Sequence, residues 1–394
     1  MTDDITRTAH PDELAAALMK MGALTPDWLP AYHAVPRHRF VPDVIWPGHA
    51  DENRQDDRVI RGDDPELWWR AVHSDVPITT QWDDGAYDGP GRGAIPSSSS
   101  SMPRMVFLML AALEVEHGHR VLEIGTGTAW NAALLAHRVG AGNVVSVEVD
   151  ASLAEEARRR LAGFGMDPIL VVGDGSLGYP ELAPYDRVIA TCSIGRIPPA
   201  WIAQSRPGGV IVAPWGPTYG GEGIVRLTVA HDGTASGRFT GSSAFMRLRQ
   251  QRVERPPFRA YLSEPWPADG TRSSTTLSPD EVGEWIDMFA IGVQVPRMFC
   301  RVERYDDGSY TLWLYDTDVT SWATADYEPD AVEYDVRQAG PRRLWDELES
   351  AWRWWDNQDR PDFDRFGLTV GPAGNERVWL DRPDNLVPNS VPTT

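Results

Sequence analysis

Residues 121–130, which read Val-Leu-Glu-Ile-Gly-Thr-Gly-Thr-Ala-Trp, constrain the fold of this chain more than any other stretch. The first four residues are typical of a buried β-strand, and a turn that contains Gly125 and Gly127 follows at once. Because glycine has no Cβ, such a turn can adopt unusual backbone angles and lets a ligand lie against bare main chain. The pattern also predicts a helix over residues 129–139, whose first N–H groups point into the turn.

A second apolar run, residues 143–148, ends in the acid Glu148. In nucleotide-binding βαβ units, an acid roughly 20 residues after the turn accepts a ribose hydroxyl. A dinucleotide or S-adenosylmethionine would fit this layout. The dinucleotide fingerprint needs a third small residue where this chain has Trp130, and an indole there would crowd the helix–strand contact. The turn therefore favours methyl transfer over hydride transfer, with a glycine turn that binds no ligand as the remaining alternative.

Further along the chain, predicted strands and helices alternate. Helices are expected at residues 151–164 and 199–205, and strands at residues 169–172, 185–191 and 210–214. This alternation predicts a parallel sheet, which binds ligands at the carboxyl ends of its strands. Glu148, Asp174 and Thr191 fall at such ends, so we expect them to converge. Asp174 taken alone is equally typical of a turn residue.

A run of five serines, residues 97–101, precedes Met102, Pro103 and a predicted helix over residues 104–116. Such a run is often a flexible linker. It adjoins a strong helix, however, and this places Ser101 near the helix N-cap, where its hydroxyl and the free N–H groups could bind an anion. We favour a functional Ser101 over a linker.

The composition narrows the class of protein. A formal charge of −20 argues against nucleic acid as the main partner, because phosphate binding needs a basic surface. The two cysteines, Cys192 and Cys300, give neither a disulfide framework nor metal-ligand spacing, so we expect no metal. No apolar run is long enough to span a membrane, and residues 1–4 lack the apolar core of a secretory signal. We therefore expect a cytoplasmic protein.

Two further segments carry open alternatives. Residues 81–93 contain Asp-Asp-Gly and Gly-Pro-Gly and are expected to form a loop that could act as a mobile lid. Residues 247–259 carry five arginines, which favours a solvated linker over a surface that grips an acidic peptide.

The chain changes character beyond residue 256, and seven of its 17 tryptophans lie beyond residue 300. Helices are expected at residues 278–289 and 341–357, a strand at 310–315, and a closing hairpin at 366–369 and 377–380. The tryptophans of the 341–357 helix are more typical of a core than of a ligand platform. The chain is therefore expected to have two domains, residues 1–252 and a tryptophan-rich α+β domain at residues 253–394.

Residues 14–250 resemble the protein-L-isoaspartate O-methyltransferases. Residues 35–42 (Val-Pro-Arg-His-Arg-Phe-Val-Pro) are similar to the N-terminal signature of that family, and Ser101-Met102-Pro103 is similar to its serine-containing substrate motif. Residues 121–128, 173–175, 183–189 and 206–209 resemble its later motifs in the same order. The long loop before residue 95 and the tryptophan-rich extension depart from the housekeeping enzymes. They resemble enlarged actinobacterial relatives that accompany ribosomally made peptides of the graspetide, lanthipeptide or lasso type.

The resemblance implies a Rossmann-like S-adenosylmethionine-dependent methyltransferase sheet. It implies esterification of an aspartate side chain in a modified peptide, which then collapses to aspartimide and isoaspartate. Repair of L-isoaspartyl residues in damaged proteins is the alternative, and a small-molecule O-methyltransferase or a peptide-binding scaffold remain as rivals. Ser101 would hold the substrate carboxylate, helped by Ser99, Ser100, Met102 and Thr191. The residues expected to bind the cofactor are Glu123, Gly125, Thr126, Gly127, Thr128, Trp130, Asn131, Glu148, Val149, Asp174 and Gly175.

Overall fold

A computed structural model describes residues 10–48, 57–262 and 270–389 of the chain. Residues 1–4, on which the expectation about a secretory signal depends, lie outside the described residues. Within the described ranges, no helix has both the length and the apolar character that crossing a bilayer requires.

The N-terminal part forms a small antiparallel sheet with three helices nearby. Its helices are α1 (Pro11–Lys20), α2 (Leu29–Ala34) and α3 (Pro65–Val72). Its strands are β1 (Val44–Pro47), β2 (Val59–Ile60), β3 (Ile78–Trp82) and β4 (Pro96–Ser100), which pair in the order β2-β1-β3-β4. The run of serines is therefore a strand, and the linker interpretation is wrong.

A larger sheet follows, with strands β5 (Val121–Ile124), β6 (Val144–Glu148), β7 (Ile169–Val172), β8 (Tyr185–Ala190), β9 (Ser205–Trp215), β10 (Gly223–Val229) and β11 (Ala235–Ser242). β5 pairs in parallel with β6 and β8, β6 with β7, and β8 with β9, whereas β10 and β11 are antiparallel. Every residue of β5 and β6 is buried, as expected for central parallel strands covered on both faces. The predicted α/β fold class is confirmed.

Four helices accompany these strands: α4 (Pro103–Leu113), α5 (Trp130–Val139), α6 (Ala151–Ala162) and α7 (Pro199–Ala203). Apolar side chains of α4 and α5 pack in one core cluster, and those of α7 pack in a second cluster with β8 and β9. The carboxylate of Asp150 caps α6 by accepting from the amides of Ser152 and Leu153, and Gly140 ends α5.

The C-terminal part contains a separate antiparallel sheet. Its strands are β12 (Thr271–Thr275), β13 (Met298–Arg304), β14 (Tyr310–Asp316), β15 (Trp322–Tyr327) and β16 (Tyr334–Ala339), in the order β12-β16-β15-β14-β13. Its helices are α8 (Trp285–Gly292) and α9 (Leu344–Asp356). The buried residues Trp345 and Leu348 of α9 pack into the core of this sheet, as the tryptophan pattern predicted. The helix expected at 278–289 is instead a short 3-10 turn, Pro279–Val282, followed by α8.

The last two strands, β17 (Phe366–Val370) and β18 (Glu376–Leu380), form the predicted hairpin. They do not join the C-terminal sheet. β17 pairs with β11, so the large sheet has nine strands in the order β18-β17-β11-β10-β9-β8-β5-β6-β7. The domain boundary at residue 252 stays a prediction, but part of the segment beyond it completes the sheet of the segment before it.

Candidate active site

The turn between β5 and α5 has an unusual backbone. Gly125, Gly127 and Ala129 have φ of 93°, 52° and 71°, all in the left-handed region. A Cβ added at Gly125 would lie 2.9 Å from Oγ1 of Thr191. That hydroxyl donates to the carbonyl of Gly125 at 2.6 Å, so the end of β8 holds the turn in place. The result is a cradle of bare main chain, lined also by the buried Thr128, against which a ligand can lie.

Glu148 stands at the end of β6 and faces this turn. Its Oε2 accepts from the amide of Gly127 at 2.9 Å, and its Oε1 accepts from the amide of Asp150 at 3.1 Å. The structure therefore brings Glu148 beside the glycine turn, with Val149 next in the chain. The role of Glu148 towards a ribose stays a prediction.

Glu123 and Asn131 lie on either side of the glycine turn in the chain and bond to each other beneath the protein surface. Glu123 is fully buried, and its carboxylate accepts from Nδ2 of Asn131 at 2.7 Å and from Oγ of Ser146 at 2.5 Å. Ser146 is in turn 2.6 Å from Oγ1 of Thr126. Burial raises the pKa of Glu123 to about 7, and the hydrogen bonds from Ser146 and Asn131 oppose that rise. Asn131 thus bonds to Glu123 directly and Thr126 is linked to Glu123 through Ser146, and the contact of these three residues with the cofactor stays a prediction.

Asp174 and Gly175 lie at the same edge of the sheet. The carboxylate of Asp174 accepts from the amide of Ser176 at 2.8 Å and caps a short 3-10 turn, Gly175–Leu177. A Cβ on Gly175 would lie 2.5 Å from Cγ2 of Ile124, so only glycine fits there. Asp174 is thus a turn residue, and contact with the adenine side of a cofactor remains a prediction.

The indole of Trp130 points away from the turn. It is 3% exposed, donates to the carbonyl of Val35 at 3.0 Å, and packs edge-on against Phe107 with ring centroids 5.9 Å apart. The indole is thus engaged inside the protein, and the contact of Trp130 with a cofactor stays a prediction. The hollow above the turn is not blocked by this indole.

The serine strand β4 runs past the glycine turn. A Cβ on Gly127 would lie 3.4 Å from the carbonyl oxygen of Ser99, which is ordinary contact distance. Within the strand, Ser98 and Ser100 are buried, whereas Ser99 and Ser101 are partly exposed. The hydroxyl of Ser100 is held by Nε of Arg37 at 3.2 Å, so we reassign Ser100 from substrate binding to a structural role.

Ser101 is available for a substrate. Among the described residues, its hydroxyl has no hydrogen-bond partner. The N-cap of α4 is Met102, whose side chain does not cap the helix, so Ser101 lies next to the N-cap, as the sequence predicts. The amide of Arg104 in the first turn already donates to Asp75 at 2.7 Å. Ser101 is therefore a partly exposed serine that directly follows β4, the strand that passes the glycine turn.

Sequence reasoning missed Arg37, which lies in the 3-10 turn Arg37–Arg39. Its guanidinium is fully buried beneath the serine strand, and burial lowers its pKa to about 10. The sequence carries no signal that singles Arg37 out, because Arg39 lies between the same apolar neighbours and is exposed.

The expected lid and the arginine-rich segment meet at the cofactor edge. Asp84 forms ion pairs with Arg249 at 3.0 Å and Arg252 at 2.7 Å, and Arg249 also reaches Asp150 at 3.2 Å. Nε2 of Gln81 donates to the same carboxylate of Asp150 at 3.0 Å. Residues 249 and 252 are therefore not a solvated linker. They tie the loop after β3 to the start of α6.

A cavity of about 500 Å³ opens elsewhere, at the tips of β13, β14 and β15. Its walls include Phe258, Trp313 and Tyr327, and none of the residues predicted from sequence lines it. The chemistry suggested by the sequence lies instead along the carboxyl edge of the parallel strands.

The fold and the site define a class of protein. A parallel sheet with a bare glycine turn after β5 and an acid at the end of β6 is a Rossmann-like sheet of the kind that binds a nucleoside-containing cofactor. The family model of "Protein-L-isoaspartate(D-aspartate) O-methyltransferase (PCMT)" matches residues 70–252.

Named relatives agree with this match. The protein-L-isoaspartate O-methyltransferase of Thermococcus onnurineus is 37% identical over 208 residues, which is 52% of this chain and 94% of that protein. The Methylorubrum extorquens enzyme is 38% identical over 200 residues, or 51% of this chain and 70% of that protein. The chain belongs to the protein-L-isoaspartate O-methyltransferase family.

Coverage is smaller for other relatives. The match spans 55% of the Ignicoccus hospitalis enzyme, at 46% identity over 29% of this chain, and 63% of the Methanosarcina mazei enzyme. A solved protein-L-isoaspartate O-methyltransferase has a TM-score of 0.48 at 19% identity and covers 95% of this chain and 100% of its own. A Plasmodium falciparum structure described as a complex with S-adenosyl-L-homocysteine has a TM-score of 0.43 at 15% identity, covering 60% and 97%.

Proposed function

We propose that this protein transfers a methyl group from S-adenosylmethionine to the free carboxylate of an L-isoaspartyl residue in a protein or peptide. We propose the cytoplasm as its compartment, which suits the two free cysteines, Cys192 and Cys300. One observation carries the proposal: the serine strand passes the glycine turn at contact distance, with the carbonyl of Ser99 beside Gly127 and the hydroxyl of Ser101 free.

The residues present fit S-adenosylmethionine. The left-handed turn at Gly125 and Gly127 leaves a cradle that a Cβ would fill, and the carboxylate of Glu148 stands beside it. Glu148 would accept the ribose hydroxyls, and the backbone of the turn would face the amino-acid part. When bound, the sulfonium supplies a methyl group that is already activated for transfer.

The acceptor needs little chemical help. A carboxylate has a pKa near 4, so at neutral pH it is already the nucleophile. One of its oxygens bonds to the methyl carbon while the carbon–sulfur bond breaks and the electron pair leaves with sulfur, so no proton moves. Catalysis then comes from holding the carboxylate in line with the methyl group and the sulfur. The free hydroxyl of Ser101 would donate to the second carboxylate oxygen and fix that line.

The finer prediction, an aspartate in a ribosomally made and modified peptide, is a second candidate. Its support is the sheet β12–β16, which lies beyond the residues matched by the family model. That part of the chain reaches the catalytic sheet, because the indole of Trp285 in α8 donates to the carbonyls of Ser243 at 2.9 Å and Glu222 at 3.2 Å. Such a region could present a larger or constrained peptide to the same carboxylate chemistry.

A peptide pair separates the two candidates. The protein is incubated with S-adenosylmethionine and either an isoaspartyl peptide or its aspartyl twin, and mass spectrometry follows the gain of one methyl group. Methylation of the isoaspartyl peptide alone supports the repair-type activity. Indifference to both peptides supports the second candidate if a modified peptide gains a methyl group and then loses methanol as the imide closes, which is a net loss of water from the starting peptide. No methylation of any carboxylate would show that the proposal is wrong.

Two variants assign the roles within the site. Ser101→Ala should bind S-adenosylmethionine normally but lower kcat/KM roughly ten- to a hundred-fold, the cost of one hydrogen bond to a charged group. Glu148→Ala should weaken cofactor binding measured by calorimetry. The exposed Ser242→Ala is the matched control and should change neither quantity. If Ser101→Ala lost cofactor binding and activity equally, Ser101 would be structural.

A further inference from the structure

Arg37 contacts both the serine strand β4 and the first residue of helix α5. It follows α2, sits beneath β4, and is 3% exposed. Nothing in the proposed chemistry uses it, yet its side chain contacts both halves of the site.

Three hydrogen bonds tie Arg37 to the serine segment. Its Nε donates to Oγ of Ser100 at 3.2 Å, and its Nη2 donates to the carbonyls of Ser100 at 3.0 Å and Ser101 at 2.9 Å. That carbonyl belongs to Ser101, the residue whose hydroxyl is proposed above to bind the substrate carboxylate. The position of that hydroxyl therefore depends directly on Arg37.

Three more hydrogen bonds anchor the guanidinium itself. Nη1 donates to the carbonyls of Val72 at 3.1 Å and Ser74 at 3.2 Å, and Nη2 also donates to Val76 at 3.0 Å. Every nitrogen of the planar fork is thus used. A lysine ammonium, with three donors around one atom, cannot reach the same set of acceptors.

On its other side, Arg37 meets the cofactor helix. Its guanidinium carbon lies 5.4 Å from the centroid of the Trp130 ring, within the range of a cation–π contact. Trp130 is the first residue of α5, directly after the glycine turn. The buried guanidinium of Arg37 therefore contacts both Ser101 and Trp130, the first residue of α5.

Asp75 completes the arrangement. It is the carboxylate whose charge acts on Arg37, and it accepts from the amide of Arg104 at 2.7 Å. The short segment Ser101-Met102-Pro103 is therefore held from both ends, by Arg37 at its first carbonyl and by Asp75 at the amide that follows it. Little freedom is left for Ser101 to move relative to the turn.

We propose that Arg37 is a positioning residue for methyl transfer, which fixes the hydroxyl of Ser101 relative to the glycine turn that holds the methyl donor. The inference rests on the proposed function, because it assumes that Ser101 binds the substrate carboxylate. Arg37 touches neither substrate nor cofactor and acts through Ser101 and Trp130.

The test compares Arg37→Lys with Arg39→Lys, an exposed arginine in the same turn. A shift of about 1 Å in a reacting group can cost roughly a hundred-fold in rate, so Arg37→Lys should lower kcat roughly ten- to a hundred-fold. Affinity for S-adenosyl-L-homocysteine should stay within about twofold of wild type, because the bare turn is intact. Arg39→Lys should match wild type in both measurements.

Arg37→Ala, with guanidinium ion added at low millimolar concentration, supplies a second readout. Partial recovery of kcat by guanidinium, but not by ammonium, is expected if the fork itself positions Ser101. If Arg37→Lys melts at a lower temperature but keeps wild-type kcat and KM, Arg37 is only structural and the inference is overturned. Equal loss of cofactor affinity and activity in Arg37→Lys would overturn it as well.

Binding separates this inference from the proposed function. Calorimetry measures the affinity of an isoaspartyl peptide for the complex with S-adenosyl-L-homocysteine, without any turnover. If wild type binds but does not methylate the peptide, the proposed function fails, and the inference, which assumes methyl transfer, fails with it. If wild type methylates the peptide and Arg37→Lys changes neither binding nor kcat, only the inference fails.

Discussion

At the cofactor edge, polar groups find their partners within one βαβ unit. Glu123 bonds to Asn131 and Ser146, and Glu148 bonds to Gly127. In the C-terminal sheet the partners lie on neighbouring strands: Thr275 of β12 pairs with Tyr334 of β16, and the rings of Tyr310 and Tyr327 stack at 4.6 Å across β14 and β15. Side-chain hydrogen bonds around one turn build the first region, whereas strand pairing across a whole sheet builds the second.

The two regions nevertheless depend on each other. β17 and β18 come after the C-terminal sheet in the chain but extend the catalytic sheet beside β11. Glu376 on β18 accepts from the amide of Ile197 at 2.5 Å and from the indole of Trp215 at 3.2 Å, so it holds the loop that follows Thr191 at the site. The segment that the sequence predicts to be an added domain therefore helps to hold a loop of the candidate site in place.

The largest effect is expected from truncation after residue 255. This removes the buried Phe366, Leu368, Val370 and Leu380 from the core beneath β11. Each such side chain contributes about 1.5–3 kcal/mol, and their sum is comparable to the whole stability of a typical domain, about 5–15 kcal/mol. We expect no cooperative thermal transition by circular dichroism and no S-adenosylmethionine binding. A chain ending at residue 389 is the control, and a folded, cofactor-binding 1–255 fragment would show that the two regions are separable.

A smaller, purely local effect is expected from Gly125→Ala. At φ 93° an alanine is strained, and its Cβ would lie 2.9 Å from Oγ1 of Thr191. Backbone strain of this kind costs about 1–3 kcal/mol, and the methyl group fills the cradle, so S-adenosylmethionine affinity should fall roughly tenfold or more by calorimetry.

Gly118→Ala is the matched control for that change. Gly118 also has a positive φ, 81°, but a Cβ there meets nothing within 4 Å. It should lower the melting temperature in a similar way while leaving cofactor affinity intact. Equal loss of affinity in both variants would mean that the cradle around Gly125 has no specific role.

The elements that sequence predicted well are those set by local backbone. The glycine turn, the strands on either side of it and the closing hairpin are defined by glycine angles and apolar periodicity over a few residues. The serine strand was harder, because serine has little strand preference and β4 is a strand only through its pairing with β3. The same limit hid β12, β13, β15 and β16, which sequence reasoning did not predict.

Glu123 and Glu148 show which part of the site could not be predicted from the sequence. Glu123 and Glu148 both lie in buried strands, and sequence alone assigned both to the cofactor. The register of β5 against β6 places Glu123 opposite Ser146, which ties the first acid inside the sheet, whereas Glu148 reaches the open edge. Arg37 was missed for a related reason, because its acceptors lie in two segments distant in sequence, residues 72–76 and 100–101, and all but one are backbone carbonyls.

The smallest effect, and the sharpest test of the buried Glu123, concerns pH. Burial raises the pKa of Glu123 from 4.5 to about 7 in the folded protein. Between these values the unfolded chain releases its proton before the folded protein does, so the free energy of unfolding falls as pH rises, and above about pH 7 the loss is complete.

Glu123→Gln keeps an acceptor for Asn131 but cannot ionise. Its melting temperature relative to wild type should therefore rise between pH 5 and pH 8, by an amount that corresponds to roughly 1–3 kcal/mol. The exposed Glu181→Gln is measured beside it as the control for removing a surface carboxylate. If Glu123→Gln behaves in the same way as this control, Glu123 ionises as it would in water, and the support beneath the turn is more open to solvent than its complete burial indicates.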